Sequence, residues 1–148
     1  MPRKQDSAAP RHRLLIVDDE ESTRLLIARL LTQGMNVDVQ LAGTCEQALR
    51  FAGNFAYDAI LLDLLMPGIG GFGVLQEIRR ASANTTTPIL VVSMLSDQEA
   101  SDRCMAAGAD GFLVKPVEQR ALVYAVKSLL AGRGKAKPDQ EEAWRKSR

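Results

Sequence analysis

The chain has 148 residues, 46% hydrophobic and 25% charged, which fits one globular domain with a full core and leaves no room for a second. No apolar run approaches the roughly 18 residues of a membrane span, and the opening MPRKQDSAAPRHR lacks the apolar stretch of a secretory signal, so a cytoplasmic protein without membrane contact is expected. The net charge of +1 divides into basic ends and an acidic body, which argues against direct nucleic-acid binding by the domain itself.

In chain order, residues 1–13 form a basic N-terminal tail, in which His12 is read as solvated and without a partner. Leu14-Leu15-Ile16-Val17 is too short for a helix and reads as a buried strand ending at Asp18-Asp19. Leu26, Ile27, Leu30 and Leu31 then recur at helical spacing over 21–33, with Gly34 as the stop. A second strand runs from Val37 to Leu41, and Thr44 caps a helix over 45–53. Ala59-Ile60-Leu61-Leu62 is a third strand, ending at Asp63, and Met66-Pro67-Gly68 breaks regular structure before a helix over 72–80.

Pro88 opens a fourth strand, Ile89-Leu90-Val91-Val92, which ends at Ser93. Asp97 caps a helix running to 107, and Phe112-Leu113-Val114 is a fifth strand ending at Lys115-Pro116. A last helix covers 118–131, and 132–148 is a charged tail or linker. Trp144 in that tail reads as an anchor for a partner, as the start of a linker to a further domain or, equally, as part of a disordered segment. Cys45 and Cys104, with no C-x-x-C spacing, read as small buried hydrophobes, and with one histidine no structural zinc site is expected.

Strict strand–helix alternation implies a doubly wound parallel sheet with helices on both faces. In such sheets the site lies outside the carboxyl ends of the strands. Those ends here are Asp18-Asp19, Asp63, Ser93 and Lys115, so four separated segments bring polar groups to one edge. Three carboxylates drawn together repel one another unless a cation neutralises them. Oxygen-rich, water-accessible carboxylate sites suit Mg²⁺, with Mn²⁺ as a substitute. A carboxylate flanked by a divalent cation, a lysine and a hydroxyl is equipped to receive a phosphoryl group.

Ile16-Val17-Asp18-Asp19-Glu20, Leu62-Asp63-Leu64-Leu65-Met66-Pro67, Val91-Val92-Ser93 and Phe112-Leu113-Val114-Lys115-Pro116 together resemble the four signatures of a response-regulator receiver domain. The resemblance spans 14–131 and implies a flavodoxin-like α/β fold, five parallel strands in the order 2-1-3-4-5 with five helices. It implies that Asp63 is the phosphoacceptor. Asp18, Asp19, Asp63 and the Leu65 backbone carbonyl would hold Mg²⁺, while Ser93 and Lys115 would contact the phosphoryl group. Ser93 and Phe112 match the pair that moves on switching, and Lys115-Pro116 matches the family's cis peptide. The implied partners are a histidine kinase or histidine phosphotransfer protein upstream. Downstream, a protein partner would read the last two helices and the fifth strand. The chain would be a monomer or a phosphorylation-linked homodimer, and a signalling phosphoacceptor rather than an enzyme.

Two positions depart from the family pattern. Gly70-Gly71 stand where Asp or Asn followed by Gly is usual, so a mobile loop is expected over 68–73. Met94 stands where a small residue usually leaves a path to the aspartate. With Leu65 and Leu95 it predicts restricted access, slow phosphorylation and slow hydrolysis. The alternative function is a phosphorylation-independent protein-interaction module on the same fold, with Met94 closing the site. Gly68-Ile69-Gly70-Gly71-Phe72-Gly73 spells a dinucleotide fingerprint, but Asp63 to Pro67 separate it from its strand and no acidic residue follows at the right distance. A dehalogenase-type phosphatase is disfavoured, because Leu65 stands where that chemistry needs a second aspartate.

Overall fold

A computed structural model describes residues 11–134. Ten elements alternate along the chain: β1 (His12–Val17), α1 (Glu21–Gly34), β2 (Val37–Ala42), α2 (Cys45–Asn54), β3 (Ala59–Leu62), α3 (Gly70–Arg80), β4 (Ile89–Ser93), α4 (Gln98–Ala106), β5 (Gly111–Val114) and α5 (Gln119–Gly134). The five strands form one sheet in the order β2-β1-β3-β4-β5, and every neighbouring pair is parallel.

The central strands are apolar throughout because both faces of the sheet are covered. Leu14, Ile16, Leu61, Leu90 and Val92 pack with Ile27 and Leu31 of α1 and Leu122 and Val126 of α5. Alternate residues of the same strands, Leu15, Val17, Ile60, Leu62 and Val91, pack on the other face against α2, α3 and α4. Each fully buried Leu or Ile contributes about 1.5–3 kcal/mol relative to exposure, so the two layers make this topology cohere. Cys45 and Cys104 are free and buried, as their apolar surroundings anticipate.

Register brings the strand ends into line. Val17 pairs with Ala42 on one side and Leu62 on the other, Leu62 pairs with Val91, and Ser93 pairs with Val114. The residues just beyond continue the ladder: Asp18 N–H donates to the Ala42 carbonyl, Asp63 N–H to Val17 and Lys115 N–H to Ser93, at 2.8–3.1 Å.

Several sequence expectations shift in detail. β1 begins at His12 rather than Leu14, so His12 lies in the sheet and not in a solvated tail. It is half exposed, and its Nδ1 is 3.9 Å from Asp58 Oδ2. Thr44 caps α2 as expected, its hydroxyl accepting from Gln47 N–H at 3.0 Å. Asp97 occupies the N-cap position of α4 in extended backbone, but its side chain makes no capping hydrogen bond. The expected loop over 68–73 ends earlier, because α3 starts at Gly70. The helix expected over 118–131 runs from Gln119 to Gly134. Most of 132–148, including Trp144, lies outside the described residues. Among the described residues no helix is long and apolar enough to cross a membrane.

Candidate functional site

The carboxyl edge of the sheet collects the residues singled out by sequence. Asp18 follows β1, Asp63 follows β3, Ser93 ends β4 and Lys115 follows β5. Asp18, Asp63 and Ser93 are 2%, 5% and 0% exposed, whereas Asp19 faces solvent. One carboxylate oxygen from each of Asp18, Asp19 and Asp63 lies within 4.8 Å of the others. Oxygen donors at that spacing, with one open side, fit a small hard divalent cation that keeps several waters.

Lys115 neutralises part of this charge. Its Nζ donates to Asp18 Oδ2 at 2.7 Å and stands 3.7 Å from Asp63 Oδ2, so its direct hydrogen bond goes to Asp18. Asp18 Oδ1 also accepts from Glu20 N–H at 3.0 Å. Asp63 has a weaker set of partners, with Leu65 N–H reaching its Oδ1 at 3.4 Å. Burial pushes the Asp63 carboxyl above the usual carboxylate range. Lys115 opposes that shift, and the neighbouring Asp18 and Asp19 add to it. Of the two buried carboxylates of the cluster, Asp63 therefore has the weaker partners, and a cation or a covalent modification would relieve it.

The segments that follow β3 and β4 expose large apolar side chains: Leu65 and Met94 are 51% and 67% exposed, Leu95 is more than a third exposed, and Ile69 is exposed as well. Ser93 Oγ accepts from Leu95 N–H at 3.2 Å, which ties the start of the β4–α4 loop to the buried hydroxyl. Phe112 is partly buried and packs against the core layer shared with α2, α3 and α4. The Lys115–Pro116 peptide is cis, as the resemblance implied.

Sequence reasoning missed two contributors. Arg24 Nη1 donates to the Asp18 carbonyl oxygen at 2.7 Å. Gly71 N–H donates to the Leu64 carbonyl at 3.0 Å, and a Cβ on Gly71 would fall 1.9 Å from the Asp63 carbonyl oxygen. Both act on backbone, which no side-chain motif records. The signal for Gly71 was present in another form: adjacent glycines opening an amphipathic helix cost about 1 kcal/mol each against alanine and so call for a packing reason.

Comparison with known proteins matches this arrangement. The family described as "Response regulator receiver domain" matches residues 14–127. A probable transcriptional regulator, ycf27, of Cyanidium caldarium is 38% identical over 120 residues, covering 80% of this chain and 46% of that protein. Among solved structures, a CheY-like response regulator receiver domain protein from Methanospirillum hungatei superposes with a TM-score of 0.76 at 26% identity, covering 84% of this chain and 98% of that one. The receiver domain of the sensor histidine kinase PA1611 from Pseudomonas aeruginosa superposes with a TM-score of 0.75 at 26% identity, covering 82% and 98%. That structure has a magnesium ion coordinated in its active-site cleft.

The chain belongs to the response regulator receiver domain family of two-component signalling, with the CheY-like, flavodoxin-like fold, strand order 2-1-3-4-5 and five helices. It is accordingly a signalling phosphoacceptor and not a conventional enzyme, and its three aspartates form the acidic cluster of that site. The chain spans about half or less of the length of the first curated relatives it matches.

Proposed function

We propose that Asp63 accepts a phosphoryl group from a phosphohistidine of a histidine kinase or histidine phosphotransfer protein, and that the domain then signals to a protein partner in the cytoplasm. The observation that carries this reading is the asymmetry of the cluster: three carboxylates converge, yet Lys115 bonds Asp18 at 2.7 Å and stands 3.7 Å from Asp63. A nearly buried, only partly compensated carboxylate beside a cation site and a lysine is suited to act as a nucleophile toward phosphorus.

In the step itself, an Asp63 carboxylate oxygen forms a bond to phosphorus while the bond from phosphorus to the donor imidazole nitrogen breaks. The electron pair stays with the imidazole, which takes a proton, and Asp63 becomes an acyl phosphate. Asp18, Asp19, Asp63 and the Leu65 carbonyl would hold Mg²⁺, or Mn²⁺ in its place. That ion would supply charge neutralisation at the phosphoryl oxygens. Lys115 keeps its amine within reach of both Asp18 and Asp63, so a small movement turns it toward a phosphoryl oxygen on Asp63. Ser93 offers the hydroxyl donor from the adjacent strand.

Phosphorylation adds about 1.5 to 2 negative charges at one side chain. Ser93 and Lys115 move toward that charge, Ser93 releases its contact with Leu95 N–H, and Phe112 takes up the altered space between β5 and α4. The surface of α4, β5 and α5 is then the face a partner reads, as a monomer or as a homodimer formed on phosphorylation. Met94, Leu65 and Leu95 rim the entrance and set its rate.

Intact-protein mass after incubation with acetyl phosphate tests the reading. A single phosphoryl adduct that requires both Mg²⁺ and Asp63, and is missing in Asp63→Ala, is the expected result. An adduct that persists in Asp63→Ala refutes it, as does the lack of an adduct, with metal bound, in both the wild type and Met94→Ala.

A further inference from the structure

We propose that Arg24 is a positioning residue for the divalent-cation site, acting through the backbone of Asp18; the inference rests on reading the acidic cluster as a magnesium site. Asp18 is held at four polar atoms. Its N–H donates to the Ala42 carbonyl at 3.1 Å, Oδ1 accepts from Glu20 N–H at 3.0 Å, and Oδ2 accepts from Lys115 Nζ at 2.7 Å. The fourth atom, the carbonyl oxygen, accepts from Arg24 Nη1 at 2.7 Å.

Arg24 sits in the first turn of α1, where its own N–H donates to the Glu20 carbonyl. An arginine placed there only to favour the helix would extend into water. This side chain is partly buried and turns toward the end of β2. A Cβ added at Gly43 would fall 2.8 Å from Arg24 Nη1 and 3.3 Å from its Cζ. Gly43 therefore supplies the room that the guanidinium fills, and the φ of Gly43 is not one that demands glycine. Its N–H is fixed by Gln47 Oε1 at 2.8 Å, so the floor under the guanidinium is itself anchored.

The arginine thus fixes the carbonyl of the residue that carries one carboxylate ligand, with its guanidinium seated over Gly43 just after β2. Ligands of a small cation must be held to within fractions of an ångström, and losing an outer partner that orients a ligand typically weakens metal affinity by 10–100-fold. Charge alone would work the other way, because a nearby guanidinium repels a cation and its removal would tighten binding. Position and charge therefore predict opposite signs.

Calorimetric titration of the full chain with MgCl₂ decides between them, using wild type, Arg24→Met, Gly43→Ala and the double variant. Circular dichroism establishes folding at the titration temperature. The expected result is a dissociation constant about tenfold weaker in Arg24→Met and a shift in the same direction in Gly43→Ala. The double variant should be no weaker than Arg24→Met, since the added methyl then displaces no guanidinium. If Arg24→Met fails to fold, Gly43→Ala carries the test alone. Wild-type or tighter binding in Arg24→Met, or fully additive losses in the double variant, overturns the proposal while leaving the magnesium site standing. A wild-type chain that binds no Mg²⁺ overturns the magnesium reading and this inference together.

Discussion

Gly71 lies so close over Asp63 that a Cβ on it would meet the Asp63 carbonyl oxygen at 1.9 Å and the Leu64 Cα at 2.6 Å. The first turn of α3 is seated directly on the strand end that carries the candidate phosphoacceptor. Alanine at position 71 has only backbone to displace, so Gly71→Ala should cost about 3 kcal/mol or more. Gly70 is different. Its φ is +78°, which asparagine tolerates better than most residues, and the nearest atom to an added Cβ is the Leu64 carbonyl oxygen at 3.8 Å. Gly70→Asn should cost less than about 1 kcal/mol. Urea denaturation of the two variants checks the contrast, and equal stabilities would contradict the close seating.

Burial and the neighbouring Asp18 and Asp19 disfavour the charged form of Asp63, against the pull of Lys115. Without divalent metal, Asp63→Asn should therefore raise stability, by about 1 kcal/mol at neutral pH. The folded state holds the Asp63 proton more tightly than the unfolded chain does, so wild type loses stability as pH rises from the ordinary aspartate range through the raised value. The gap between wild type and Asp63→Asn should be absent in acid and open as pH rises through the raised value. Thermal melts in EDTA across that range check it. A variant less stable than wild type at pH 7 would mean that the acidic cluster is not strained.

Four of the five strands were legible because each is a short apolar run that stops abruptly at a polar residue: Val17 before Asp18, Leu62 before Asp63, Val92 before Ser93, Val114 before Lys115; β2 alternates instead, with Asp38 and Gln40 inside it. Alternation with helical segments then fixed the parallel sheet, and the parallel sheet placed the four stops on one edge. The Thr44 cap was readable for the same local reason. Other features depended on three-dimensional neighbours. His12 pairs with an acidic residue 46 positions away, and Asp97 had the right residue type for a cap without the geometry. Arg24, Gly71 and Arg79 bond or press on backbone atoms that become adjacent only once the sheet has formed.

Arg79, at the end of α3, makes the densest of these backbone links. It donates to the carbonyls of Gly108, Asn84 and Thr85 and pairs with Asp110 at 2.9 Å, with both side chains less than a fifth exposed. Asp110 Oδ2 accepts from Ile89 N–H as well, so the guanidinium joins α3, the start of β4 and the α4–β5 loop. Arg79→Met removes every one of those donors while keeping much of the apolar stem. A loss of about 3–5 kcal/mol is expected. Denaturant unfolding measures it, and a loss below 1 kcal/mol would show that the network is not what holds α4 and β5 in place.

Met94 stands largely in solvent just after β4, and in the proposed function it rims the entrance with Leu65 and Leu95. Met94→Ala should speed both uptake of phosphoryl groups from acetyl phosphate and loss of the product, severalfold in each direction, with Mg²⁺ affinity unchanged. Time courses of the phosphorylated fraction give both rates. Identical rates in variant and wild type would remove Met94 as a control on access.

The central claim is that the phosphoryl group is carried by Asp63 and by no other carboxylate of the cluster. Borohydride reduces an aspartyl phosphate to homoserine and spares free carboxylates, so it marks the site covalently. The measurement is peptide mass mapping after phosphorylation with acetyl phosphate and Mg²⁺, followed by borohydride. Homoserine at position 63 alone is the predicted result. Homoserine at position 18 or 19, or an unmodified position 63 in a chain that carries the phosphoryl mass, would contradict the account.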